Sequence, residues 1–435
     1  MMRFRTVLAA TVLTFSCAGA VPHPARALDL ETALGQVAAA NPTLAARRAM
    51  VEAARRRVAP AGAWPSPMVE FGAINVPTSG HFDMDPMTMK MAGVSQRVPV
   101  FGGNRLARRS VVEALHAETA AARMTHFEIL GMAWEAYADA HYAGELEKHA
   151  DAHQTVMNRM VQSARTRYES GNGRLEDVLR AEAERARSLV DLAGFRAEGR
   201  AARARLDALR GVAPVGSVES LSPPPATRVP DQPDTWVAAV EPSHPRLREM
   251  DAQVNRYRFA ARAARRMVWP DVELRGSYGR RETLVGGIAQ DNMFNATVGF
   301  MLPIFAAQRE LSEGAEMDAM ARASEAERRA AEIELREQVS SAWAAAAAAQ
   351  RTVSLLADTV VATQRRAVDA SWVSYSAGAT DLWRVFEATH SLYSEEISLT
   401  RAHQDLARAQ ARLLALTGRG DLLGVALPTV TGGER

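Results

Sequence analysis

The chain reads as a mixed α and transmembrane-β protein made by internal duplication, with long helical hairpins and four membrane strands. Three observations predict this class. Short motifs recur in the same order about 205 residues apart. Very long Ala/Arg/Glu-rich runs contain no proline, and two pairs of extended runs alternate apolar with polar residues.

The duplication is visible motif by motif. Asn41-Pro42-Thr43-Leu44 returns as His244-Pro245-Arg246-Leu247, and Trp64-Pro65 returns as Trp269-Pro270. Val98-Pro99-Val100-Phe101 returns as Leu302-Pro303-Ile304-Phe305, and Tyr168-x-x-Gly171 returns as Tyr375-x-x-Gly378. Leu206-x-x-Leu209-x-Gly211 returns as Leu413-x-x-Leu416-x-Gly418. The offset runs only from 203 (Asn41 to His244) to 207 (Tyr168 to Tyr375), so little has been inserted since the two copies were joined. Repeat 1 covers 28–211, a linker 212–235, repeat 2 covers 236–418, and a loose tail 419–435.

Each copy reads helix, hairpin, long helix, turn, shorter helix. Residues 30–60 are helical in pattern, and extended runs follow at 66–77 and 87–101. At about 1.5 Å per residue, the unbroken run 105–169 makes a helix of ~100 Å. Glu169-Ser170-Gly171-Asn172-Gly173 turns the chain, and 174–210 returns as a helix ended by Gly211. The return helix and the first helix, stacked end to end, match the outbound helix in length and form a second rod beside it. Copy two repeats the plan with 236–268, a hairpin, 307–375, a turn at Ser376-Ala377-Gly378-Ala379, and 380–417. The linker holds seven prolines or glycines, including Pro223-Pro224-Pro225.

The hairpins decide the class. Val272, Leu274 and Tyr278 alternate with Glu273, Arg275 and Ser277. Phe294, Ala296, Val298, Phe300 and Leu302 alternate with Asn295, Thr297 and Gly299. One apolar and one polar face over about 10 residues is the pattern of a tilted membrane strand. The first hairpin is less regular, with Val69, Phe71 and Ala73 on one strand and Met87, Met89 and Met91 sharing a face of the other. Four strands are too few to close a barrel, for which about eight is the minimum, so identical chains must complete the wall. Trp64, Trp269, Tyr278 and Phe305 stand at strand ends, where an aromatic girdle is expected, with core packing as the alternative for the two tryptophans.

Composition agrees with export and with the absence of chemistry. Arg3 and Arg5 precede an apolar run from Val7 to Phe15, which marks residues 1–27 as a cleaved signal peptide. Ala18-Gly19-Ala20 and Ala25-Arg26-Ala27 both offer cleavage sites, the second directly before helix-like sequence at Leu28. The single cysteine, Cys17, lies in this segment with Thr14 where a lipoprotein signal needs Leu, and its removal leaves no thiol for disulfides or zinc. The net charge of +2 gives no field for nucleic acid. Neither a nucleophile–base–acid set, a Walker loop, a dinucleotide fingerprint nor a Cys-x-x-Cys pair is present, so neither catalysis nor a cofactor is expected.

Taken together, the doubled Asn-Pro-x-Leu-type openings, the Pro-x-Phe exits and the two Tyr-x-x-Gly turns resemble the outer membrane efflux protein (TolC) family over essentially all of 28–418. Met87-Thr88-Met89-Lys90-Met91-Ala92-Gly93-Val94-Ser95-Gln96 before Val98-Pro99 resembles the CzcC/CusC-like branch serving heavy-metal pumps, although Phe101-Gly102-Gly103-Asn104 departs from that branch's Pro-Gly-Lys. The resemblance implies a homotrimer in the outer membrane: a 12-stranded β-barrel above a long α-helical barrel in the periplasm, with linker and tail as a belt. It implies as partners a periplasmic adaptor (membrane fusion protein) and an inner-membrane pump of the resistance-nodulation-division (RND) type, with heavy-metal cations as cargo. The turns around Tyr168, Gly171, Tyr375 and Gly378 would form the periplasmic tip where the pore closes. Just past them, Asp177 and Arg180 correspond to Arg384 and Glu387, whose swapped charges would pair between helices and hold the tip shut, or simply lie on solvated helix faces.

Two groups of soft or imidazole ligands are candidate metal sites. His81, Met84 and Met87 surround the first hairpin loop, with lipid contact as the plainer reading of Met87, Met89 and Met91. His141, Glu145, His149 and His153 recur every four residues along the long helix, a spacing that holds divalent metals but also occurs on ordinary exposed faces. A multidrug or type I secretion duct keeps the fold and changes the cargo. A periplasmic adaptor or coiled-coil scaffold would change the class, and it would require Gly-rich lipoyl-like β segments that the sequence lacks.

Overall fold

The computed structural model describes residues 27–213, 220–225, 227–230, 232–238, 240 and 244–428. Residues 1–26, where the sequence reading puts a signal peptide and Cys17, residues 214–219 of the linker and the end of the tail lie outside the described residues. The helices are α1 (Leu30–Ala40), α2 (Pro42–Ala61), α3 (Gly103–Glu169), α4 (Leu175–Leu209), α5 (Pro233–Ala238), α6 (Pro245–Arg266), α7 (Glu310–Leu355), α8 (Ala362–Ser376) and α9 (Leu382–Thr417). The strands are β1 (Met68–Ile74), β2 (Met89–Val98), β3 (Asp271–Arg280) and β4 (Met293–Met301). In copy one the long helix α3 is unbroken over 67 residues. In copy two α7 continues through a π turn at Leu356–Val361 into α8.

The first helix of each copy departs from the sequence reading. Residues 30–60 are two helices, α1 and α2, and the helix of copy two begins at Pro245 with the short α5 set apart from it. The reason lies in the repeated X-Pro step, because proline pushes the preceding residue out of the helical region. Asn41 sits at φ −64°, ψ 124° and His244 at φ −59°, ψ 132°. Each side chain then does two things. Asn41 Oδ1 accepts from the backbone N–H of Thr43 (2.9 Å) and Leu44 (3.2 Å), while its Nδ2 donates to Leu209 O at 2.8 Å. His244 Nδ1 accepts from Arg246 N at 3.2 Å, which leaves the proton on Nε2 to donate to Leu416 O at 2.8 Å. One residue thus caps the start of a helix and the end of the returning one, fixing the joint of the stacked rod. The rods are α4 on α2, packed along α3, and α9 on α6, packed along α7, α8 and α3.

The main core lies at the middle of the helices. Trp134 and Tyr137 of α3, Leu34 of α1, Trp236 of α5 and Leu413 and Leu414 of α9 are all fully buried there. Linker residues 221–230 cross this region. Leu28 bridges to Leu221, and Tyr137 Oη lies 2.8 Å from Leu28 O and 2.6 Å from Ser222 O. Gln410 Nε2 donates to Thr227 O at 2.8 Å, and Trp343 Nε1 to Pro230 O at 2.9 Å.

The four strands form one antiparallel sheet in the order β1-β2-β3-β4, with β1 and β4 as unpaired edges. Directly opposed residues share a face. Phe71, Ala92, Tyr278 and Phe294 form one row, and Val98, Val272 and Phe300 another, so this face is mainly apolar, with Gln96 in its lower half and Lys90 and Arg280 at its hairpin-loop end. The rows Glu70–Gly93–Ser277–Asn295 and Met68–Ser95–Arg275–Thr297 lie on the other face, where Arg275 pairs with Glu70 at 3.3 Å and Glu273 at 3.4 Å.

This register corrects the lipid reading of the methionines. Val69 opposes Val94 and Phe71 opposes Ala92, so Met89 and Met91 fall on the polar face, and Met87 precedes the strand. Strand pairing has a period of two, and the length of the hairpin loop decides which parity of β2 joins the apolar face of β1.

Candidate functional site

At the end of the helices far from the sheet, the two Tyr-x-x-Gly turns have the same backbone. Gly171 and Gly378 hold φ of 75° and 73°, values that side chains resist. Asn172 N donates to Arg167 O at 2.8 Å and Ala379 N to Ser374 O at 2.9 Å, the closing bonds of a left-handed helix terminus. The turns are tied across the copies, since Arg167 Nη1 donates to the Tyr375 hydroxyl at 3.3 Å and its guanidinium lies over that ring at 5.7 Å. Tyr168 is exposed. A cleft of about 520 Å³ opens between the two hairpins, floored by Met160, Ala164, Trp383 and Phe386 and rimmed by Arg167 and Asp177.

The charges beyond the turns pair differently from the sequence expectation. Arg180 pairs with Glu176 one turn back on α4 and lies 5.1 Å over the Trp383 ring. Arg384 reaches Glu387 on its own helix at 3.5 Å, and both are well exposed. Within one protomer these are therefore partners along a helix, because side chains three and four apart are the nearest neighbours. Asp381 caps α9 by accepting from Arg384 N at 3.1 Å.

The histidine series does not converge. His141 Nδ1 lies 3.3 Å from Leu221 O, and His149 Nδ1 lies 3.6 Å from Glu396, which also takes Arg365 at 2.9 Å. His153 is buried and stacked face to face on Tyr393, with centroids 4.0 Å apart and planes at 4°, while His390 stands 5.9 Å away. The Tyr393 hydroxyl donates to Asp191 at 3.3 Å. Burial, and secondarily His390, lowers the pKa of His153 to about 4. Among the described residues no group of three or more His, Cys, Asp or Glu is arranged to hold a metal. His81, Met84 and Met87 are exposed on the hairpin loop, where Met84 Sδ accepts from Ser79 Oγ at 3.7 Å and Met87 N donates to Asp85 at 2.8 Å.

At the other end, Trp64, Trp269 and Phe305 are exposed where strands meet helices, and Trp269 stacks on Phe101 at 5.4 Å. No described helix is long and apolar enough to cross a membrane. A family model described as outer membrane efflux protein matches residues 33–212 and 236–419. The chain belongs to that family. It is 27% identical over 294 residues to the outer membrane efflux protein BepC of Brucella suis biovar 1 (strain 1330). That match covers 67% of this chain but only 63% of BepC. Its fold is that of the outer-membrane channel OprN (TM-score 0.73, 20% identity, 89% of each chain). It is equally that of CusC (TM-score 0.72, 16% identity, 90% of this chain and 92% of CusC). The fold class is accordingly that of the outer-membrane channels, with mostly helical chains and a four-stranded sheet per chain.

This outer membrane efflux protein also carries a half-buried polar network, centred on the fully buried Gln404, that sequence reading missed. Arg401 of α9 grips Glu198 of α4 with both terminal nitrogens, at 2.5 and 2.7 Å, and touches Gln404 at 2.9 Å. Gln404, fully buried, donates to Asp139 of α3 at 3.0 Å, and Arg408 Nε donates to the same oxygen at 2.8 Å. The hydrogen bond from Arg401 lowers the Glu198 pKa despite its partial burial. The available signal was a polar stripe at Arg401, Gln404 and Arg408, three and seven residues apart on the inner face of a helix.

Proposed function

We propose that the protein is the outer-membrane exit duct of a tripartite RND-type efflux pump and that its cargo is heavy-metal cations. The observation that carries the duct is the sheet. It is mainly apolar on one face of all four strands, with Lys90 and Arg280 only at the loop end, and it ends in two unpaired edges, so it needs neighbouring chains to become a wall. Three copies give twelve strands, and their paired helical rods give the duct below. The export signal in 1–27 sends the chain out of the cytoplasm, and the energy for transport comes from an inner-membrane pump reached through a periplasmic adaptor.

The helical tip is the closing point. Gly171 and Gly378 bend the chain there, Arg167 bridges to Tyr375, and Asp177, Arg180, Arg384 and Glu387 lie one to three turns beyond, where neighbouring chains of a trimer would bring them together. The metal cargo is supported by the segment Met87–Gln96 and its likeness to the metal-pump branch. A strain lacking this gene, challenged with divalent and monovalent metal salts and with a drug panel, tests the cargo. Sensitivity to metals alone is the expected result. Sensitivity to drugs alone, or loss of a secreted protein, would move the duct to multidrug export or type I secretion.

A further inference from the structure

The methionines displaced from the lipid face have a use on the other one. All five methionines in the sheet, Met68, Met89, Met91, Met293 and Met301, lie on the polar face. That is the wrong side for partitioning, since apolar side chains of a membrane strand gain by facing lipid. Three of them gather at the hairpin-loop end. Gly72, Met91, Gly279 and Met293 form one row across the four strands, so Met91 and Met293 flank a residue without a side chain. Met89 stands two residues along β2 on the same face. Its side chain leans over Gly279, where an added Cβ would collide with Met89 Sδ. Met91 and Met293 are two strand spacings apart, about 10 Å, and each side chain reaches roughly half that distance. Three thioethers can therefore converge over Gly279, in the gap that the glycine leaves.

We propose that Met89, Met91 and Met293 form a binding site for a soft monovalent cation, Cu(I) or Ag(I), on the inner wall of the barrel near its outer mouth. Thioether sulfur is a neutral, polarizable donor that selects soft ions over Zn(II), and it needs no deprotonation. The site is exposed enough to exchange its ion, with Met293 38% accessible and Met89 buried at 8%. It rests on the reading of the polar face as the inside of the duct, and it narrows the cargo from heavy metals to soft monovalent ones.

The test uses the detergent-purified full-length protein, titrated with Ag(I) and counted by elemental mass spectrometry after dialysis. The triple variant M89L/M91L/M293L keeps volume and packing while removing sulfur. The wild type is expected to retain one Ag(I) per chain more than this variant, with no difference in Zn(II) and no change between neutral and mildly acidic pH. Gly279→Ala displaces the Met89 sulfur and is expected to weaken Ag(I) binding about tenfold. The double variant M68L/M301L, at the other end of the face, should bind as wild type does. Equal Ag(I) retention in wild type and triple variant, both as intact oligomers, overturns the site, and so does loss of binding in M68L/M301L. A metal-sensitive deletion strain with no thioether-dependent binding removes the site and leaves metal export standing. Thioether-dependent binding in a strain indifferent to metals does the reverse.

Discussion

His153 shows how one side chain can tie the helical rods to pH. Its ring lies buried between α3 and α9, stacked on Tyr393, with His390 as the near imidazole; the Tyr393 hydroxyl donates to Asp191, and one turn back His149 faces Glu396. Its pKa falls from the ordinary 6.5 to about 4, so the unfolded chain takes up this proton at higher pH than the folded one. The stability contributed by the neutral ring is fully present above about pH 6.5 and is lost as pH falls toward about 4. Between pH 6.5 and 5 the loss is at most about 1.5 kcal/mol per chain. The Tm in detergent should drop over this interval in the wild type and drop less in His153→Phe, which keeps the stack without the proton. Equal drops would place the acid sensitivity elsewhere. From sequence, the four-residue spacing of His141, Glu145, His149 and His153 was visible, but the partners of these histidines in the linker and on α9 were not. Spacing along one helix says nothing about what the neighbouring helix presents to it.

At the scale of elements, strand and long-helix positions were legible because periodicity and proline-free length are local signals. The two faces of β3 and β4 followed directly from alternation. The face of β2 did not, because its parity depends on how the loop between residues 74 and 89 sets the register. The breaks at Asn41 and His244 were written in the X-Pro steps, yet their purpose appears only when Leu209 O and Leu416 O arrive from the return helices. The sheet makes a paired prediction. Val298 lies on the apolar face and Thr297 on the polar one. Val298→Arg should destabilise the oligomer by about 2–4 kcal/mol, whereas Thr297→Arg should be near neutral. Oligomer survival on unheated gels and thermal unfolding in detergent read both, and equal effects would mean that the faces are assigned wrongly.

For the whole molecule, duplication accounts for most of the architecture. Two copies supply two edges, two turns and two stacked rods, and the tip departs from symmetry where Asp177 and Arg180 meet Arg384 and Glu387 with reversed sign. Arg384 and Glu387 are exposed at the tip and, among the described residues, their side chains form an ion pair with each other, which leaves both able to face a neighbouring chain. Arg384→Glu should raise single-channel conductance in planar bilayers, and an unchanged conductance would remove Arg384 from the gate. The account as a whole requires that this sheet be closed by copies of itself. Native mass spectrometry of the protein extracted from the outer-membrane fraction in detergent measures that most directly. Three chains per particle, with no soluble form after detergent removal, is the expected result. A monodisperse single chain in plain buffer would contradict it.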